Sequence, residues 1–516
     1  VVVAFTWSIA LFYFPGQGFT HLIVFGSKEH QRFLPEIQVA NHYEQPDSTG
    51  YDSEWYAQIA VRPHLADPAL NASVDSLLYR ARRILFEWTA WAIGGGDPQR
   101  ILYVYAFQNI ACWYLLAALL MRWLPPTSWD NVGRWAGMLF SFGFIFSVRR
   151  ALPDGPSLLL LAAAMALLGS GRPWLGALLL GVTGLGKDTC ILGGAAVELP
   201  SLRDRRSWTV WLGRMALVVL PIVLWIAYIR SLLGPGEDIG ARNFSVPFVA
   251  MGHKLLDSAA WFISDGFPFR SVAKLDLIVM IGLLIQFGFF AFRIRWRDPW
   301  WRLGASFAVL MACLGEAVWE GYPSAAARVL LPMTLAFNVS VPKGRWWALL
   351  VFAGNLGFLG SIDLLKPPGR ESYNVEGPSE LRTELTTGRL VEVHYSGSNW
   401  FFPERSRLEY WLWAMGEGAV TIVNPHPFAM VADVGFGLSS VDLRDGIVSI
   451  GGRLVWKGPI QPGQTWPVVL RDVLLPPGET AILFRSNLPA RYPGNGDHRK
   501  LMYSVRNLEV DLKERR

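Results

Sequence analysis

Met215-Ala-Leu-Val-Val-Leu-Pro-Ile-Val-Leu-Trp-Ile-Ala-Tyr-Ile229 carries no charge and lies inside a longer, mostly apolar stretch, 208–233. Crossing a bilayer takes about 20 apolar residues, so this stretch reads as a membrane span and sets the fold class. Similar stretches recur at roughly 1–14, 101–123, 133–148, 156–169, 173–199, 275–292, 302–319, 324–340 and 345–365. The 516-residue chain is 52% hydrophobic and 17% charged, where a soluble protein carries about 25% charge. Mean hydropathy is +0.28. This balance implies an integral membrane protein with some soluble mass attached. The 24 tryptophans suit interfacial belts or sugar-stacking surfaces.

The stretch 173–199 contains Gly184-Leu-Gly-Lys-Asp188 and reads as two short spans with a polar apex, giving about eleven crossings. The basic groups then fall into register. Arg172, the Arg203–Arg206 cluster, Arg293–Arg302 and Lys343–Arg345 all lie on one side, which the positive-inside rule makes cytoplasmic. The opposite side receives the 30–100 loop, the Val148–Asp154 turn, Lys187-Asp188, the 234–272 loop, the Glu316–Tyr322 turn and everything after 365. Any chemistry is therefore expected outside. Val1–Phe14 lacks a basic leader and reads as the end of a first span, with the chain beginning part-way into it. Cys112, Cys190 and Cys313 sit in apolar runs, without metal-site spacing or a disulfide framework.

Composition changes near Lys366-Pro-Pro-Gly369. Residues 1–365 read as the membrane domain, with 30–100 as a first outer loop carrying interfacial helices. Residues 366–516 read as a soluble all-β sandwich. Alternating runs at Ala419–Val423, Val431–Phe436, Ile447–Ile450, Thr465–Leu470 and Thr480–Phe484 are separated by the turn signals Asn424-Pro425, Asp445-Gly446, Gly451-Gly452 and Pro476-Pro-Gly478.

Chemistry concentrates in the outer set. Gly50-Tyr-Asp-Ser-Glu-Trp-Tyr56 places Asp52 and Glu54 among aromatics; one carboxylate is a candidate general base and the other a partner, or both are solvated loop charge. Leu77–Trp88 reads as one amphipathic helix at the interface. Its Arg80 and Arg83 share a face and either clamp a phosphate or attract headgroups. Arg149 and Arg150 run against the positive-inside trend, which asks for an anionic partner; Asp154 is a substrate contact or a helix cap. Gly181–Thr189 nearly matches a P-loop, but Asp188 stands where a hydroxyl residue belongs, and no strand precedes it. A charge at mid-bilayer costs about 2.5–3.5 kcal/mol, so Lys187 and Asp188 line an aqueous cavity or pair together. Glu316, Glu320, Tyr322 and Arg328 form a last cluster, in which Arg328 binds a donor phosphate or pairs with Glu316 or Glu320.

On Tyr51-Asp-Ser-Glu-Trp-Tyr56, Arg149–Asp154, Gly186-Lys-Asp-Thr189 and Arg328-Val-Leu-Leu-Pro332, the chain resembles the polytopic GT-C glycosyltransferases. That resemblance implies a polyprenyl-phosphate-linked sugar donor, an acidic base at Asp52 with Glu54 as the competing assignment, and basic residues on the lipid phosphate: Arg328, Arg149, Arg150, Arg80, Arg83 and Lys187. Asp154, Asp188, Glu316, Glu320 and Tyr322 are candidates for a second acid or substrate contact. Some branches of that family use a divalent metal (Mg or Mn). The acceptor would be a cell-envelope glycan or lipid. The tail, with Trp400-Phe-Phe-Pro-Glu404 and Tyr410-Trp-Leu-Trp413, looks like sandwich domains appended to bacterial cell-surface enzymes of this kind, which implies the bacterial inner membrane with the active site and tail on its periplasmic side. Its rings either stack on sugar or fill the core. Two rivals from other classes are a flippase for a lipid-linked saccharide and a non-catalytic assembly scaffold.

Overall fold

The computed structural model describes all residues except 15, 46–47, 202, 235–238, 265–271, 320–323, 366–390, 398, 402, 406–409, 425–427, 494–498 and 514–516. The chain forms two compact units. The first comprises Val1–Phe25, His30–Tyr43 and Tyr51–Pro367; the second comprises Gly26–Glu29, Glu44–Gly50 and Pro368–Arg516.

The first unit is helical. Pro98–Leu120, Arg205–Leu233 and Leu275–Phe292 are long and apolar enough to cross a membrane. A fourth span results if Arg345–Gly354 and Phe358–Leu364, bent by 45°, count as one. Asp154–Gly169 and Pro173–Gly186 are apolar but shorter. Of the eleven crossings expected, helix length and composition thus select three or four. Several helices start on an Asp-Pro pair. Asp67, Asp97 and Asp298 each cap their helix by accepting from a backbone N–H of its first turn, while the following proline fills a position whose N–H would go unused.

Many expected spans are broken. Residues 133–148 form Trp129–Leu139 and Phe142–Arg149, and 302–319 form Pro299–Cys313 and Glu316–Trp319. Residues 324–340 form Ser324–Val329 and Leu331–Ser340, the second opening with Pro332. In 173–199 only the first arm is an α-helix; Asp188–Ala196 is 3-10. The 234–272 loop contains a helix, Val249–Ser264.

The amphipathic helix expected over 77–88 is also two pieces, Leu77–Arg80 and Leu85–Gly94. Tertiary partners take up the backbone groups freed at the break. Ile84 N–H donates to the Leu185 carbonyl at 2.9 Å, and Trp225 Nε1 donates to the Ala81 carbonyl at 2.8 Å.

The second unit contains two five-stranded antiparallel sheets. One runs in the order Trp466–Leu475, Met430–Ser440, Tyr503–Lys513, Tyr410–Ala414, Glu404–Arg405. The other runs Glu392–Ser396, Gly418–Asn424, Gly478–Ser486, Arg444–Ile450, Arg453–Ile460. Alternation drives the packing: Gly418–Asn424 buries every second residue, and Ile482 stands opposite both Val420 and Ile450. The two inner faces meet at Phe436 and Phe484, whose rings are 5.1 Å apart. Gly451 and Gly452, at φ 56° and 79°, make the two-residue hairpin turn that needs left-handed backbone. Asp445-Gly446, expected as a turn, lies within a strand. Trp400 joins the core: its ring is 5.1 Å from Tyr395, and its Nε1 donates to Ala419 at 3.1 Å.

Candidate active site

Asp52 is the first residue of the helix Asp52–Val61, and Tyr51 precedes it in extended conformation. Residues two apart on a helix point about 200° away from each other. The Asp52 side chain is accordingly 37% exposed, whereas Glu54 turns into the core at 0%. The two acids do not share a face, which separates the pair expected from the sequence.

Arg80 reaches Asp52 from the end of the short helix Leu77–Arg80. Its Nη2 donates to Asp52 Oδ1 at 3.0 Å, and its Nε and Nη2 donate to the two oxygens of Asp75 at 3.0 and 2.7 Å. The guanidinium lies over the Tyr56 and Tyr79 rings at 5.4 and 5.6 Å. Tyr56 is one helical turn beyond Asp52, and its hydroxyl accepts from Arg83 Nη1 at 2.7 Å. Arg83 in turn lies 3.6 Å from Asp188 and 3.4 Å from the Tyr79 hydroxyl.

The network continues beyond Asp188. Its neighbour Lys187 pairs with Asp154, the first residue of Asp154–Gly169. The other oxygen of Asp154 lies 3.4 Å from Arg328 Nη1. Arg328 sits over Phe146 at 5.4 Å. Arg150 sits over Tyr51 and Phe146 at 5.3 and 5.9 Å, and Arg149 over Phe12 at 4.0 Å. Asp154 is the first helical residue, with Pro153 at the cap position, so its carboxylate serves these cations and is not the helix cap.

Two glycines permit these approaches. A Cβ on Gly186 would lie 2.6 Å from the Phe86 ring and 2.8 Å from Ser157 Oγ, so only glycine lets that helix end deliver Lys187 beside Asp154. A Cβ on Gly143 would lie 2.3 Å from the Ala327 carbonyl oxygen, so Phe142–Arg149 packs directly on the backbone that carries Arg328. The intervening turn is held by Ser147, whose Oγ donates to Leu152 at 2.9 Å and accepts from Gly155 N–H at 2.8 Å; Ala151 adopts φ 41° within it.

The cluster is balanced: Asp52, Asp75, Asp154 and Asp188 stand against Arg80, Arg83, Lys187 and Arg328. Burial pushes the Asp52 carboxyl up, but Arg80, Arg328 and Arg83 outweigh it and hold it below the usual carboxylate range. Asp52 is therefore an anion at neutral pH. Burial likewise raises the Tyr56 phenol, which stays protonated. Among the described residues no group of three or more His, Cys, Asp or Glu converges to hold a metal ion. The four acids of the cluster face cations instead, a set that does not fit a divalent ion.

The structure thus joins Asp52, Arg80, Arg83, Asp154, Lys187, Asp188 and Arg328 through direct contacts, with Arg150 beside them on the Tyr51 and Phe146 rings. Arg328, expected on a phosphate or on Glu316 or Glu320, meets Asp154. Glu316 lies apart, exposed, 3.4 Å from His253 Nδ1. Glu320 and Tyr322 lie outside the described residues. Asp75, Tyr56 and Tyr79 escaped the sequence reading. Tyr56 was findable as the residue one turn after Asp52; Asp75, an acid in a polar connection, carried no distinguishing signal.

No family model matches this chain, and no curated protein does. Among solved structures, it is similar to the cryo-EM structure of the arabinosyltransferase EmbB from Mycobacterium smegmatis, at 10% sequence identity and a TM-score of 0.25. The match covers 99% of this chain and 64% of that one, so this chain spans less than two thirds of its neighbour's length. A likeness this weak carries no functional argument.

Proposed function

We propose that this protein is an integral membrane glycosyltransferase of the GT-C kind. It moves a pentosyl or hexosyl group from a polyprenyl-phosphate donor to a cell-envelope glycan or lipid. The observation that supports this reading is the run of contacts from Asp52 through Arg80, Tyr56 and Arg83 to Asp188, continued through its chain neighbour Lys187 to Asp154 and Arg328. It sets an accessible carboxylate, Asp52, beside several cations, as base and leaving-group phosphate require.

In the proposed step the acceptor hydroxyl attacks the anomeric carbon, and its proton passes to Asp52. The new glycosidic C–O bond forms as the C–O bond to phosphate breaks. Polyprenyl phosphate leaves with the electron pair, and Arg80, Arg83, Lys187 or Arg328, with Arg149 and Arg150 as further candidates, offset its charge. A single displacement inverts the anomeric centre. We place the site and the C-terminal unit on the extracytoplasmic face of a bacterial plasma membrane, with the Arg203–Arg206 and Arg293–Arg302 loops inside.

The test is Asp52→Asn in the purified full-length chain, given a labelled polyprenyl-phospho-sugar and an envelope glycan. Transfer is expected to vanish while the chain stays folded, as a cooperative thermal unfolding transition shows. Full activity in that variant overturns the reading.

A further inference from the structure

We infer that Asp75 is a positioning residue: it divides the Arg80 guanidinium so that Asp52 keeps a carboxylate oxygen available for the acceptor's proton. This rests on the glycosyl-transfer reading above and extends it to a residue outside the proposed reaction.

The geometry is specific. Arg80 gives Nε and Nη2 to Asp75 in a two-point fork, at 3.0 and 2.7 Å, and gives Asp52 only a share of Nη2, at 3.0 Å. Asp75 is itself pinned, since the Ser76 backbone N–H donates to its Oδ1 at 2.7 Å. Arg80 is seated over two tyrosine rings and is buried. Among the described residues Asp52 accepts through Oδ1 alone.

A guanidinium fork matches a carboxylate best through two parallel N–H bonds. Asp75 holds that fork. If it loses its charge, the carboxylate nearest to Arg80 is Asp52, and the fork closes on both Asp52 oxygens. A base engaged at both oxygens has no lone pair directed at substrate. Asp75 also offsets part of the Arg80 charge at Asp52. It touches neither donor nor acceptor in this scheme; it acts through Arg80.

The experiment compares Asp75→Asn, Asp75→Glu and Asp52→Asn in the purified full-length chain, with labelled polyprenyl-phospho-sugar as probe. It reads kcat, KM for the donor, the pH dependence of kcat/KM, and thermal unfolding. For Asp75→Asn we expect kcat to fall by about tenfold or more with KM changed by less than about threefold. The acid limb should move to lower pH. Asp75→Glu should restore rate and limb together. A loss of rate with an unmoved limb, or one that Asp75→Glu fails to restore, marks a merely structural role and overturns the inference. So does an unaltered rate and profile in Asp75→Asn. If Asp52→Asn is inactive while Asp75→Asn behaves as wild type, the inference alone fails. If Asp52→Asn is fully active, the transfer reading falls and the inference falls with it.

Discussion

The Arg328 guanidinium meets the Asp154 carboxylate at 3.4 Å, on the same acid that holds the Lys187 ammonium. Two buried cations thus share one buried anion. Asp154→Asn removes the charge they share, and breaking a buried ion pair costs about 3–5 kcal/mol. We expect a clear fall in the unfolding temperature together with loss of transfer. Adding Lys187→Met to that variant should recover part of the stability but not the activity. A stable Asp154→Asn protein would refute this account of the cluster.

Asp52 is held below the ordinary carboxylate range by Arg80, Arg328 and Arg83 against the upward push of burial. A depressed acid contributes stability above its unfolded value, and that contribution is lost as pH falls through the folded value. Activity that needs the Asp52 anion should therefore persist below pH ~4, the usual aspartate range. Arg80→Gln should move the acid limb upward. A wild-type limb above pH ~5 would contradict the electrostatics.

Glu87, in the first turn of Leu85–Gly94, is fully buried, and neither carboxyl oxygen has a hydrogen-bond partner among the described residues. Burial pushes it up to about 8. The folded state then holds a proton that the unfolded chain releases above 4.5. Stability from this group is complete below that value and is lost as pH rises through about 8, at up to about 1.4 kcal/mol per unit. The unfolding temperature of the wild type should drop more steeply with rising pH than that of Glu87→Gln. Equal slopes would show that Glu87 is ionised in the fold.

Replacing glycine by alanine inside a helix ordinarily stabilises by about 1 kcal/mol. Gly133 lies in the helix Trp129–Leu139 with open space around it, and Gly133→Ala should follow that rule. Gly143→Ala should reverse it, because its Cβ would stand 2.3 Å from the Ala327 carbonyl oxygen. Overpacking of this kind costs about 1–3 kcal/mol. The shift also displaces Arg328, so donor KM should rise. Thermal unfolding of the two variants side by side checks the contrast.

In the second unit the Tyr503 hydroxyl donates to the Phe484 carbonyl at 2.8 Å and accepts from Gly418 N–H at 3.0 Å, linking one sheet to the other. Burial raises the phenol above its ordinary range, so it stays protonated. Tyr503→Phe leaves a buried N–H and a buried carbonyl short of this partner, at about 1–3 kcal/mol. We expect a lowered unfolding temperature for the C-terminal unit with no change in transfer rate.

The sequence by itself determined the elements whose signals are local. Long apolar runs marked the spans at Pro98–Leu120, Arg205–Leu233 and Leu275–Phe292, and period-two alternation marked the sandwich strands. It also singled out Asp52, Arg80, Arg83, Asp154, Lys187 and Arg328 as polar groups in apolar surroundings. Only the tertiary structure decided how they pair. Arg328 meets Asp154 across 174 residues because glycine at 143 lets two backbones touch. The helix expected over 77–88 breaks where Leu185 and Trp225 supply partners from distant helices. Periodicity records which face a residue occupies and nothing of what that face will meet. The choice of Asp75 as the main holder of Arg80 depends on ångström-scale approach, which hydropathy and spacing do not encode.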